Sequence, residues 1–264
     1  MSNNCCGGSE DDSKNNNLNH KKAIQKRYGA AAIEKESCLC TPVSFNPIYL
    51  EAIPEAVIEK DYGCGDPTKW VKENDVVLDL GSGSGKNAFI CAQIVGRQGK
   101  VIGVDQNSDM LNLSRNSIKE FSKRVGYENT QFLEGSIERL DALDLDNKPI
   151  IKTSSIDIIL SNCVLNLVNP KSRKNLLNNI KRVLREKGRI AISDIVSNKK
   201  VPLSLQNDPD LWSGCISGAW YEPELINDFR ILGFKNLKFA ERSSEPWKVI
   251  EDIEFRTITL IGNI

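Results

Sequence analysis

The chain has 264 residues, 40% of them hydrophobic, and basic and acidic side chains are equal at 35 each. This suffices for one large domain, or a core with a smaller attached unit, and the even charge offers no basic excess for nucleic acid and no polybasic run for a membrane. A single histidine, His20, rules out a Ser-His-Asp triad, a Cys-His nucleophile pair and a His-rich metal site in the core.

Residues 1 to 20 are rich in Asn, Asp, Ser and Gly and read as a disordered leader. They lack the basic-then-apolar order of a signal peptide, and no apolar run reaches the ~20 residues of a spanning helix. The expectation is a soluble, cytoplasmic protein, a monomer by default. Residues 21–70 read as a short helix (21–35) followed by a Pro- and Gly-punctuated stretch carrying Cys64 in Tyr62-Gly63-Cys64-Gly65.

From Asp75 strands and helices alternate. Strands are expected at 76–80, 100–105, 130–133, 157–161 and 189–195, and helices at 87–95, 108–125 and 171–186, with Ser108 as an N-cap. Such alternation implies right-handed crossovers and a mostly parallel sheet. Residues 71–200 therefore form the principal ligand-binding domain. Residues 201–264 follow with a loop or lid around Trp212 and Cys215, a helix at 222–232, and an antiparallel pair at 237–241 and 255–261.

The motif Asp79-Leu80-Gly81-Ser82-Gly83-Ser84-Gly85 directly follows the first strand. A phosphate loop would need glycine where Leu80 stands and Ser or Thr where Asn87 stands. A dinucleotide loop would need a third glycine where Lys86 stands. The spacing that fits is acidic-x-G-x-G-x-G. It resembles the first motif of class I S-adenosylmethionine-dependent methyltransferases, whose fold is Rossmann-like with a mostly parallel seven-stranded sheet and helices on both faces. Asp105 ends the next strand, 20 residues after Gly85, and a carboxylate there can accept hydrogen bonds from ribose hydroxyls. By that resemblance Asp79, Gly81, Ser82, Gly83, Asp105, Gln106, Ser136, Ile137 and Asn162 hold the cofactor, with Ser136 and Ile137 near the adenine and Asn162 at the methyl-transfer position. The plainer alternative is an ordinary parallel-sheet turn with Asp105 solvated.

Eight cysteines in an intracellular chain are more often ligands or redox groups than staples. Tyr62-Gly63-Cys64-Gly65, Ser161-Asn162-Cys163-Val164 and Trp212-Ser213-Gly214-Cys215 together resemble the cysteine motifs of arsenite methyltransferases, and the likeness runs from Tyr28-Gly29 to Phe255-Arg256-Thr257-Ile258-Thr259. The resemblance implies that Cys64, Cys163 and Cys215 are both the catalytic residues and the As(III) ligands, with Cys40, preferred over Cys38, as a weaker fourth thiol. It implies S-adenosylmethionine as cofactor, and arsenite or thiol-conjugated arsenic as substrate. It further implies a thiol reductant such as thioredoxin or glutathione as co-substrate. Trivalent arsenic is soft and thiophilic, and bound by three sulfurs it keeps a lone pair, so no general base is needed. Cys5 and Cys6 are assigned to the leader and Cys91 to the core. Two rival readings keep the residues and change the role: a methyltransferase of a small organic molecule, and a non-catalytic metalloid-binding module.

Overall fold

The computed structural model describes residues 9–34, 43–144 and 146–264. The expectations for Cys5, Cys6, Cys38 and Cys40 lie outside these residues. In chain order the elements are α1 (Ser9–Ile33), α2 (Pro47–Leu50), α3 (Glu55–Glu59), β1 (Val76–Leu80), α4 (Lys86–Val95), β2 (Lys100–Asp105), α5 (Ser108–Val125), β3 (Thr130–Glu134) and β4 (Ile156–Asn162). There follow α6 (Arg173–Val183), β5 (Leu184–Ser197), α7 (Leu203–Gln206), α8 (Pro209–Ser213), β6 (Trp220–Tyr221), α9 (Glu222–Ile231), β7 (Lys235–Arg242), β8 (Lys248–Ile250) and β9 (Ile253–Asn263).

The strands form one sheet in the order β3-β2-β1-β4-β5-β9-β7, with short β6 on β5 and β8 on β9. Seven strands lie on the main path as expected from the sequence, and the two short strands raise the total to nine. β3 through β5 are parallel, and β9 runs antiparallel to β5 and β7. Central strands buried on both faces carry apolar runs, and Ile158-Ile159-Leu160 of β4 is one, fully buried. One face packs Leu78, Leu80, Ile159 and Ile192 against Leu176, Ile180 and Phe229 of α6 and α9. The other packs Val77, Ile158 and Leu160 against Phe89 and Phe121 of α4 and α5. Among the described residues no helix is long and apolar enough to cross a membrane.

Three local expectations need correction. The N-cap of α5 is Asn107, not Ser108: its Oδ1 accepts from the backbone N–H groups of Asp109 and Met110 at 3.0 and 3.1 Å, satisfying two otherwise orphaned donors. The leader is helical from Ser9, and α1 continues through the residues assigned to disorder. Its residues His20, Ile24 and Ala31 are buried at helical spacing, so tertiary packing supplies what its polar composition does not. The segment 202–221, read as an irregular loop, holds two short helices and a short strand.

Candidate active site

At the carboxyl ends of β1, β2 and β4 lies a cavity of about 260 Å³. Crossover connections leave such a crevice beyond the strand ends of an open parallel sheet. Of the residues expected to hold a cofactor, Gly81, Ser82, Gly83, Asp105, Gln106, Ser136, Ile137 and Asn162 line it, while Asp79 is buried outside its lining.

The glycine loop is held from below. Gly81 and Ser82 donate to the Val104 carbonyl at 2.8 and 3.1 Å, and Gly83 donates to Asp105 Oδ2 at 2.8 Å. Gly81 has φ +68°, and a Cβ there would stand 2.5 Å from a methyl of Val164. Only glycine meets both demands. Asp105 Oδ1 accepts from Asn107 N at 2.8 Å, so each carboxylate oxygen already serves a backbone N–H and retains lone pairs toward the cavity. Burial pushes its carboxyl above the usual range, against the pull of those backbone bonds.

Asp79 is 1% exposed, and its Oδ2 has no hydrogen-bond partner among the described residues. Burial first, then the neighbouring Asp61 and Asp105, raise its carboxyl to about 8. Asp61 is itself paired with buried Lys86. The family resemblance puts the cofactor's amino-acid portion near this end of β1. A prediction for the ligand-free protein follows. The folded state keeps a proton that the unfolded state, with a carboxyl at its ordinary 3.8, gives up, so Asp79 contributes stability below 3.8 that is lost as pH rises through about 8. Asp79→Asn cannot ionise. Its melting temperature should increasingly exceed that of the wild type as pH rises across this window. Melting curves that remain parallel from acid to alkaline pH would contradict the assignment.

The three cysteines named from sequence meet at one edge of this cavity. Cys64 and Cys163 form a disulfide, with Cα atoms 6.0 Å apart. Cys215 is free and buried, and its Sγ donates to the Cys163 carbonyl at 3.0 Å. Cys163 alone of the three lines the cavity. Burial pushes the Cys215 thiol well up, with buried Asp194 adding to the shift and the Tyr28 hydroxyl, 3.8 Å from Cys215 Sγ, opposing it. Cys163 and Cys215 both have positive φ, 58° and 60°. Each conformation costs a non-glycine residue about 1–3 kcal/mol and persists only where its surroundings over-determine it. Cys91 is a fully buried core residue on α4, as its mid-helix position suggested.

Asn162 does more here than line the cavity. Its Oδ1 accepts from Cys64 N at 2.9 Å and Gly65 N at 3.3 Å, and its Nδ2 donates to the Gly65 carbonyl at 2.8 Å. One carboxamide thus fixes the Cys64 turn beside Cys163. His20, assigned from sequence to the leader, stacks on Trp212 at 4.2 Å between ring centroids and lines the cavity with Tyr28 of the same helix. The relevant sequence signal was present, since His20, Ile24 and Tyr28 share one helix face, but composition concealed it.

Comparison with known proteins gives a consistent result. A family model described as a methyltransferase domain matches residues 71–241. The chain is 32% identical over 223 residues to the arsenite methyltransferase of Mus musculus, covering 81% of this chain and 57% of the relative. It is 36% identical over 192 residues to the arsenite methyltransferase of Halobacterium salinarum, covering 72% and 45%. The chain thus spans about half to two thirds of the length of the curated relatives it matches. The crystal structure of an arsenic(III) S-adenosylmethionine methyltransferase from Chlamydomonas reinhardtii superposes with a TM-score of 0.73 at 30% identity, covering 84% of this chain and 74% of that one.

Proposed function

The chain belongs to the arsenite methyltransferase family of class I methyltransferases, and we propose that it methylates trivalent arsenic held by cysteine thiolates, with S-adenosylmethionine as the methyl donor. The observation that carries this reading is the meeting of Cys64, Cys163 and Cys215, from three separate parts of the chain, at the edge of the cavity. Three sulfurs at that edge suit a soft, thiophilic centre.

The cavity fits the donor. The glycine loop with no Cβ at Gly81 and Asp105 beyond β2 match the backbone-contact and ribose positions in turn. When bound, S-adenosylmethionine supplies a methyl group already activated on a sulfonium, which an arsenic lone pair takes without loss of a proton. The remaining task falls to this chain. Gly81 and Gly83 admit the donor against the backbone, Asn162 holds the Cys64 turn, and the β4 end presents Cys163 to the cavity. Such orientation can supply several kcal/mol of a barrier, up to about 7–11 in the best intramolecular models.

Thiols bind arsenic only when deprotonated, and only when free. The Cys64–Cys163 disulfide must first be opened, two electrons and two protons converting it to two thiols while two reductant thiols become a disulfide. A thioredoxin-type protein or glutathione would serve. The detoxification of arsenic is the role consistent with this chemistry.

The test is mass-spectrometric detection of methylated arsenic after incubating the chain with arsenite, S-adenosylmethionine and excess thiol. Methylated product that requires all three additions is expected. Absence of product from a chain that demonstrably binds S-adenosylmethionine would redirect the reading to a small organic acceptor.

A further inference from the structure

Cys215 lies 52 residues beyond Cys163, just after α8 on the segment between β5 and β6. Something must fix its position. The short stretch that follows Cys163 carries the groups that do so. Asn166 is 1% exposed, and its Nδ2 donates to two carbonyls, Ile195 at 2.7 Å on β5 and Cys215 at 3.2 Å. Its Oδ1 accepts no hydrogen bond among the described residues, so the side chain acts here as a two-pronged donor.

The same stretch seats the far end of the segment. A Cβ on Gly218 would stand 1.9 Å from the Asn166 carbonyl oxygen, so the two backbones touch. Only a residue without a side chain allows that approach. Arg173, at the start of α6, donates through Nη2 to the Gly218 carbonyl and lies 3.7 Å above the centroid of Trp220. Trp220 is held in turn by its Nε1, which donates to Asp228 at 3.0 Å. The Trp212 indole donates to the Leu167 carbonyl at 3.3 Å, adding a third tie to the same stretch.

We propose that Asn166 and Arg173 are positioning residues for the third thiol. They hold the Cys215 carbonyl and the Gly218 turn so that Cys215 Sγ faces Cys163, and they maintain the left-handed backbone of Cys215 that its chain conformation alone disfavours. Residues 163–173 thereby carry one thiol and the clamp for another. This inference rests on the reading that Cys215 is an arsenic ligand.

The experiment uses the reduced full chain, with arsenite affinity measured by ultrafiltration and S-adenosylmethionine affinity measured separately. Cys215→Ser comes first: if it binds arsenite like the wild type, the underlying reading fails, whatever the clamp does. Given its loss, Asn166→Ala and Arg173→Met should each weaken arsenite binding by about tenfold, the scale of one net hydrogen bond to a buried partner, while leaving S-adenosylmethionine binding within about twofold. Arg173→Lys should recover part of the loss through its remaining donor. The decisive arm combines them: in a Cys215→Ser background Asn166→Ala and Arg173→Met should add no further loss, because a residue acting only through Cys215 has nothing left to position. Losses that persist in full in that background, or wild-type arsenite affinity in both single variants, would overturn the proposal. Arg173 is half-buried, so its variants decide the matter should Asn166→Ala fail to fold.

Discussion

Replacing Cys163 with serine is expected to lower arsenic methylation by about a thousandfold or more, while S-adenosylmethionine binding stays close to that of the wild type. Cys163 occupies the turn immediately after β4, where the strand ends open onto the cavity, and it is the one thiol of the three with access to that space. Serine preserves the volume and the left-handed backbone demand but substitutes a hard oxygen for a soft thiolate, which trivalent arsenic binds poorly. It also removes the Cys64–Cys163 bond, leaving Cys64 held by its turn, by Asn162 and by its packing among Ile195, Cys215 and Phe255. None of the contacts that shape the glycine loop involves the Cys163 side chain: Gly81 and Ser82 lean on Val104, and Gly83 on Asp105. Product analysis by mass spectrometry and cofactor titration on the same preparation separate the two effects. Wild-type methylation by the variant would remove Cys163 from the chemistry. A folded variant that had lost cofactor binding would mean that the two halves of the site are not divided as argued.

The second large effect is expected at Gly81. Gly81→Ala must accommodate a Cβ at φ +68°, and the space it would enter is taken by the Val164 side chain at 2.5 Å. The backbone cost alone is about 1–2 kcal/mol, and the contact adds to it because Val164 adjoins Cys163 and is packed against the core. Relief requires the glycine loop or the Cys163 turn to move, so donor and acceptor positions are lost together. A drop of about a hundredfold in S-adenosylmethionine affinity is expected, equivalent to about 2.7 kcal/mol, with methylation falling further. A control at Gly83, where an added Cβ meets nothing within 4 Å, separates close approach from conformation, since Gly83 also has positive φ at 51°. If Gly81→Ala and Gly83→Ala lose cofactor equally, the Val164 contact does not set the loss at Gly81.

Much of the fold was legible because it rests on short-range patterns. β1, β2 and α5 fall where alternation and periodicity put them, since apolar runs bounded by turn residues admit few other structures. The glycine loop and Asp105 were legible for a related reason: each is at the end of a strand, and strand ends in a parallel sheet converge on one crevice. Asn107 was missed as the cap because Asn and Ser are both good caps and adjacent, and only the geometry of the accepting oxygen distinguishes them. α1 was misread because a polar composition with so few apolar positions resembles disorder until a partner surface is supplied by α8 and α5.

The sequence by itself determined the sheet order's raw material, the spacing of the glycine loop, and the identity of the thiols, because each depends on residues near one another in the chain. Tertiary structure alone decided that Cys64, Cys163 and Cys215 converge and that His20 stacks on Trp212. It also decided that Asn162 and Asn166, four residues apart, hold two different cysteine segments. Contacts across 49 to 192 residues follow from how the β4 and β5 ends and the covering helix α1 come together, a relation of surfaces that no local pattern of residues encodes.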